Sequence, residues 1–416
     1  LLVGEENLNK PKLDEGDMDV RHIRDDFPLL RNESVVYLDS ACQSLKPESV
    51  LKAMDQYNRE FPACGGRSVH RLANRVSMEV DMAREKIAQL IGSPSPDSIV
   101  FTKNCTEAIN TVARGLGLSD SDTVVTTDIE HNSNHIPWLR LAQNGVKRRI
   151  VATDNGILDI EGLQEAMSSD VRLVSMVHTS NVTGTTLPAK EVVEIAHEHG
   201  ALVMLDGAQY AGHAPLDLER LDVDFYTVSI QKTLGPTGLG VLYGKEELLK
   251  NLEPLSVGGG TVGLAEYNSV ELLPPPERFE GGLLNYAAII GAGAAADYLM
   301  DLGVENIEKH ELMLQKRLQK RIEGLEELSV VGPAEAELRG GITSFNIKGL
   351  GSHDVAMILD EMGGILLRSG MHCCHPWFRL HGIPGCARAS LHLYNNERDI
   401  DRFADALEEL VSTFSR

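Results

Sequence analysis

The chain has 416 residues, 42% of them hydrophobic, and a formal charge of −22 from 39 basic and 61 acidic side chains. That length can bury a large core and predicts about two domains. The acidic balance argues against a broad nucleic-acid surface. Six unevenly spaced cysteines make no disulfide framework in a chain this long and suggest a reducing compartment.

The first stretch, LLVGEENLNKPKLDEGD, lacks the basic start and apolar run of a signal peptide and reads as a polar, partly disordered leader over residues 1–35. From about residue 36 to 245, short apolar runs alternate with helix-period segments. The predicted strands are SIVFTKN, TVVTTDIEH, VRLVSMVHTS, ALVMLDGA, VDFYTVSI and LGVLYG, with amphipathic stretches such as TEAINTVARGLG and AKEVVEIAHEHG between them. This alternation predicts βαβ units, hence an α/β domain whose mostly parallel sheet is sandwiched by helices, over residues 36–285. A breaker-rich region, SVGGGTVG to LLPPPERFEGG, closes it. One long helical segment is expected from Asn285 to Leu325. Its apolar run AAIIGAGAAADYLM is interrupted by Asp297 and too short for a membrane span. Strands at SVVG, ITSFNI, GILLRSG and ARASLHLY, with helices at DVAMILDEM and the chain end, predict a smaller α+β domain over 286–416. A soluble, cytoplasmic protein with no membrane or nucleic-acid partner is expected.

Ligands of parallel sheets bind beyond the carboxyl ends of the strands, so the residues there matter most. After SIVFT, Asn104 and Glu107 frame a helix start where the amides of Cys105 and Thr106 and the Thr106 hydroxyl can hold an anion. Capping alone is equally compatible with that pattern. His131 follows the next strand and can stack on an aromatic ring. Asp206 ends ALVMLDGAQ, where a carboxylate can pair with a protonated pyridine nitrogen, and Gln209 can reach the same ring's oxygen. Lys232 sits in a turn after FYTVSI, and burial there would free its amine for a Schiff base. Together these groups match the needs of pyridoxal 5'-phosphate. The stretch RSGMHCCHP stays open on its residues alone: a metal site, a reactive thiol and an inert turn all fit it.

The motifs YLDSACQSLKP, EHNSNHIPW, LDGAQ, the lysine turn with GPTGLGVLYG, RFEGG, RSGMHCCHP and RASLHLYN resemble the class V aminotransferase family. Within it they are similar to the Suf-type cysteine desulfurase/selenocysteine lyase branch. The resemblance implies fold type I of pyridoxal-phosphate transferases. It implies desulfuration of L-cysteine to L-alanine, with sulfur left as a persulfide on Cys373 and destined for iron–sulfur cluster or other sulfur-containing cofactor synthesis. Catalytic roles fall to Lys232, Cys373 and His131. Cys105, Thr106, His131, Asp206, Gln209, Ser229, Gln231 and Lys232 would bind the cofactor, while Asn181, Arg368 and Arg388 would bind the substrate. Arg368, His372 or the substrate's own groups would assist removal of the Cys373 proton, and a homodimer and a protein sulfur acceptor are implied. No metal is expected.

Four positions depart from the family pattern. Gln231 replaces a histidine, Leu283 replaces a threonine that reaches the partner subunit's phosphate, and Cys42 and Cys105 add thiols near the pocket. Those thiols leave a related enzyme of the same family, such as a selenocysteine lyase, a cystine or cysteine-conjugate lyase or an epimerase, as an alternative. A metal or iron–sulfur protein using Cys42, Cys105, Cys373 and Cys374 is another.

Overall fold

The computed structural model describes residues 18 to 414. Seven strands build the central sheet: β1 (Ile99–Thr102), β2 (Thr123–Thr127), β3 (Lys147–Val151), β4 (Val171–Val177), β5 (Leu202–Asp206), β6 (Phe225–Ser229) and β7 (Gly240–Gly244). Their spatial order is β1-β7-β6-β5-β4-β2-β3. β2 to β6 pair in parallel, and β7 runs against both of its neighbours. β3, with the sequence KRRIV, was not among the expected strands. It is a sheet edge whose side chains are mostly exposed or half-buried, and charges on an edge erase the apolar run that marks a strand while blocking unwanted pairing.

Alternate side chains of the sheet face opposite sides. Val124, Leu173, Met204, Phe225 and Leu242 join one buried cluster, and Val125, Val174, Val203, Tyr226 and Val241 join another. Helices α1 (Glu48–Glu60), α2 (Arg71–Leu90), α3 (Cys105–Gly115), α4 (Asn132–Ala142), α5 (Ala189–Glu198) and α6 (Tyr286–Leu302) surround the sheet. Val112 of α3 and Trp138 of α4 cover the first face. Val193 of α5 and Ile289 of α6 contribute to the second.

The single helix expected over Asn285–Leu325 is two helices. α6 stops at Leu302 and α7 (Val304–Ile322) leaves at 74° to it. Gly303 between them has φ +77° and donates its N–H to the Leu299 and Met300 carbonyls. This left-handed stop is cheap only for a residue without a Cβ. α6 carries the Ala/Gly-rich run, is largely buried and packs on α1 and α2. No single helix among the described residues is long and apolar enough to cross a membrane.

After α7 the chain forms a second, antiparallel sheet. It consists of β8 (Leu328–Val331), β9 (Ile342–Ile347), β10 (Arg368–Gly370) and β11 (Cys386–Ser390), in the order β8-β9-β11-β10. α7, α8 (Ser352–Gly363) and α9 (Glu397–Phe414) share its core through Leu314, Leu359 and Phe403. GILLRSG is not one strand. Ile365–Leu366 pairs in parallel with Val36–Tyr37, and Arg368–Gly370 alone enters the second sheet. ARASLHLY likewise stops being a strand at Ser390, after which the chain turns and buries His392 and Tyr394. The breaker-rich region holds an exposed hairpin, Val262–Ala265 with Val270–Leu272.

The expected leader lies partly outside the described residues. Its remainder is ordered by the fold: Phe27 is fully buried, and Arg24 forms a 2.7 Å ion pair with Asp399 of α9. A second ion pair is buried under the central sheet. Glu280, of the RFEGG motif, grips Arg84 at 2.8 and 2.9 Å and accepts the Phe101 amide of β1 at 2.7 Å. Removing one member of such a pair strands the other charge in a medium that solvates it poorly. Glu280→Ala is therefore expected to cost about 3–5 kcal/mol, read as a lower urea midpoint. An unchanged midpoint would show that water reaches Arg84.

Candidate active site

The parallel strands end on one edge of the sheet, and the residues just beyond those ends line a cavity of about 240 Å³. All the site residues expected from the sequence lie on its wall, including Lys232, Asp206, His131, Thr106, Arg388 and Cys373. A wider hollow of about 1270 Å³ beside α7 and α9 contains none of them.

α3 begins at this cavity because Asn104 caps it, its side chain accepting the Glu107 amide at 3.0 Å. Glu107 reaches back to the Lys103 amide at 2.6 Å, one residue earlier than in a standard capping box. The first-turn amides of Cys105 and Thr106 have no acceptor within the helix, which leaves them for an anion. Gly240 of β7 lies against this start. A Cβ there would meet the Asn104 Cα at 2.5 Å, so a larger residue would push the helix off the cavity.

Thr106 Oγ1 lies 2.7 Å from Ser133 Oγ, a cavity residue that the sequence reading missed. The signal available was its place two residues after His131, in the first turn of α4. His131 caps that helix, its Nδ1 accepting the Ser133 amide at 3.0 Å. Burial, then the nearby Lys232 and Arg388, push its pKa down to about 3. The ring is therefore neutral, with its proton on the other nitrogen. Ser229 donates to Cys105 Sγ at 3.0 Å, and burial raises that thiol to about 12.

Lys232 lies deep in the protein while part of its surface faces the cavity. Burial lowers its pKa, and the carboxylate of Asp206 opposes the shift. Asp206 is 3% exposed; burial raises its pKa, Lys232 offsets part of the rise, and the Ala208 amide donates to it at 3.0 Å. Gln209 gives one amide N–H to the Ala41 carbonyl at 2.8 Å, leaving its second N–H and its oxygen for other partners. Gln231 has a buried side-chain oxygen with no partner among the described residues.

The cysteine loop takes a shape that the sequence did not suggest. It is not extended: His372 and Cys373 have φ +44° and +59°, both left-handed. That conformation costs an L-residue roughly 1–2 kcal/mol, and three hydrogen bonds hold it. Asn181 Nδ2 donates to the His372 carbonyl at 2.7 Å, the Asn132 amide to the Cys373 carbonyl at 2.7 Å, and the Cys374 amide to the Met371 carbonyl at 2.8 Å. The turn parts the two thiols. Cys373 faces the cavity, whereas Cys374 is fully buried with its S–H on Asn181 Oδ1 at 3.2 Å.

Two expectations change here. Asn181 was expected on the substrate carboxylate; the cysteine loop takes one of its two amide N–H groups and a bond to its oxygen, which leaves a single N–H for that role. His372 was expected to help with the Cys373 proton, yet its Nε2 donates to the Cys386 carbonyl at 3.0 Å. Burial, then Arg388, lowers its pKa to about 3, which makes it a weak base. Beside Lys232, two arginines face the cavity, Arg368 and Arg388. Arg368 Nη1 lies 2.6 Å from Cys42 Sγ. Arg388 is 2% exposed, donates to the Asn181 carbonyl at 2.9 Å and lies 3.4 Å from Asp39, while its buried Nε has no partner among the described residues. Cys42, Cys105, Cys373 and Cys374 do not gather as a ligand set. The clustered ligand-type side chains among the described residues are His213, Glu311 and His392.

A lysine, a carboxylate and a helix start thus face one cavity at the strand ends of a largely parallel sheet. The family model "Aminotransferase class-V" matches residues 36–403, and the chain belongs to that family. It is 40% identical over 413 residues to a probable cysteine desulfurase of Streptomyces coelicolor, covering 96% of this chain and 99% of that protein. A probable cysteine desulfurase of Methanothermobacter thermautotrophicus is 41% identical over 399 residues, covering 95% and 98%. The solved cysteine desulfurase of Thermococcus onnurineus superposes with a TM-score of 0.92 at 37% identity, covering 97% of this chain and all of that one. That of Escherichia coli gives 0.88 at 32% identity, covering 96% and 100%.

The parting of the thiols can be measured directly. Alkylation of the native protein near neutral pH, read by peptide mapping, should modify Cys373 at least about tenfold faster than Cys374, because burial leaves Cys374 protonated and out of reach. Equal rates would mean that the loop does not hold this turn.

Proposed function

We propose that this chain is a pyridoxal 5'-phosphate-dependent cysteine desulfurase. It would convert L-cysteine to L-alanine, leave the sulfur on Cys373 as a persulfide, and work as a cytoplasmic homodimer that hands sulfur to a protein acceptor. The observation that carries the reading is that Lys232, Asp206, the α3 start and the thiol of Cys373 face a single cavity. Full-length likeness to relatives named as cysteine desulfurases supports it.

The residues present fit the cofactor. Lys232 Nζ would hold it covalently, Asp206 its ring nitrogen, and His131 its ring face. The Cys105 and Thr106 amides and the Thr106 hydroxyl would take the phosphate, with the Ser229 hydroxyl turned to it from Cys105 Sγ. Gln231 can donate a hydrogen bond there but cannot titrate. When bound, the cofactor supplies an electron sink for the charge left at the substrate's α-carbon. Burial favours the neutral amine of Lys232, the form that can accept the α-proton at Nζ. Arg388, with its free buried Nε, would take the substrate carboxylate, and Arg368 would support the same region. The Cys373 thiolate then attacks the substrate sulfur. An S–S bond forms, the carbon–sulfur bond breaks, and the carbon fragment takes up protons to leave as alanine. Leu283 is 64% exposed in its own chain and cannot donate a hydrogen bond, so a partner's phosphate would lose that contact.

The test supplies the cofactor-loaded protein with L-cysteine and a thiol reductant. Alanine and sulfide are expected, and Cys373→Ser should lower both by several orders of magnitude while still binding the cofactor. Borohydride reduction should fix the cofactor on Lys232, as read by peptide mapping. Pyruvate and ammonia in place of alanine would make the protein a lyase.

A further inference from the structure

We infer that Cys42 is a second sulfur-accepting thiol of this active site, placed to take the persulfide sulfur from Cys373. The inference rests on the desulfurase reading and adds a step to it. Of the cysteines around the cavity, two are closed to chemistry. Cys105 is buried and bonded by Ser229, and Cys374 is buried and bonded to Asn181. Cys42 and Cys373 are the two that are half-buried and on the cavity wall.

Cys42 is also held firmly. Its amide donates to the Asp39 carbonyl at 3.0 Å, and on the preceding residue the Ala41 amide donates to Ser390 Oγ at 2.9 Å. The Ala41 carbonyl accepts from Gln209 at 2.8 Å. The turn is thus fastened to both sheets, and the thiol has a fixed place beside the cavity. Arg368 Nη1 lies against its sulfur at 2.6 Å, and both Arg388 and Lys232 are near enough to feel its charge. A guanidinium is the partner that a sulfur anion takes as it attacks or leaves. The tied turn keeps Cys373 facing the same cavity that Cys42 lines, so the sulfur it carries is held in the space that the second thiol faces.

The step is redox-neutral. The Cys42 thiolate attacks the outer sulfur of the Cys373 persulfide. A bond forms between Cys42 Sγ and that sulfur, the bond to Cys373 Sγ breaks, and Cys373 leaves as a thiolate. The proton stays on the transferred sulfur, which now ends a persulfide on Cys42. Cys373 is then free for a second substrate before any acceptor arrives.

The experiment mixes the cofactor-loaded enzyme with about three equivalents of L-cysteine per site and no other thiol, and quenches it within the burst, before free cysteine removes sulfur by exchange. Alanine in the burst is counted, and persulfides are mapped by alkylation and mass spectrometry. The wild type should release about two alanines per active site and carry persulfide on both thiols, whereas Cys42→Ser should release about one and carry it on Cys373 alone. Cys373→Ser should carry none on Cys42. A wild-type burst of one with Cys42 unmodified overturns the inference, as does a Cys42–Cys373 disulfide formed with loss of sulfide. Mapping of the wild type decides the matter even if Cys42→Ser fails to fold. A normal burst on Cys373 alone leaves the desulfurase reading standing, whereas no alanine from any of these proteins removes both.

Discussion

Asn181 ties the two sheets of the molecule together through three of its own atoms. It sits in the turn after β4, on the edge of the central sheet. Its Nδ2 holds the His372 carbonyl, its Oδ1 holds the Cys374 thiol, and its main-chain carbonyl holds Arg388 of β11. The left-handed turn at His372 and Cys373 leans on this junction, because two successive non-glycine residues with φ above zero are uncommon and cysteine in particular does not favour it. Take the junction away and the cysteine loop loses the contact that turns one thiol inward and the other out.

Around that joint the cavity separates charge by burial. Desolvation pushes Asp206 up and Lys232, His131 and His372 down, and each then partly answers to its neighbours. The outcome is a lysine biased towards its neutral amine and two uncharged imidazoles. Arginines 388 and 368 keep their positive charge there, Arg388 even though burial lowers its pKa. A nucleophilic thiol and an anionic substrate both profit from that arrangement. Glu311, beneath the site, shows the opposite balance. Burial would raise it, but His213 and His392 outweigh burial and hold it down to about 2.

Much of this was legible in the sequence, for a physical reason. A parallel sheet buried on both faces writes each strand as an apolar run, and function collects just after those runs. Lys232, Asp206, His131 and Thr106 could be read from that rule alone. What could not be read depends on contacts between distant residues or on unfavoured backbone. KRRIV carries no apolar run because it is an edge. Gly303 looks like any helical glycine until its φ is known. Arg84 and Glu280 are separated by 196 positions, and only the fold makes them a buried pair. Asn181 was given to the substrate by the family resemblance, which does not reveal that the cysteine loop takes its oxygen and one of its N–H groups.

The account therefore stands on Asn181 as a positioning residue, and steady-state kinetics of Asn181→Ala tests it most directly. With the cofactor bound at saturation, kcat for alanine formation should fall roughly a hundredfold with KM for cysteine little changed, since a thiol misplaced by about an ångström attacks poorly. A rise in KM with kcat intact would be the mark of a lost substrate contact and would contradict the account.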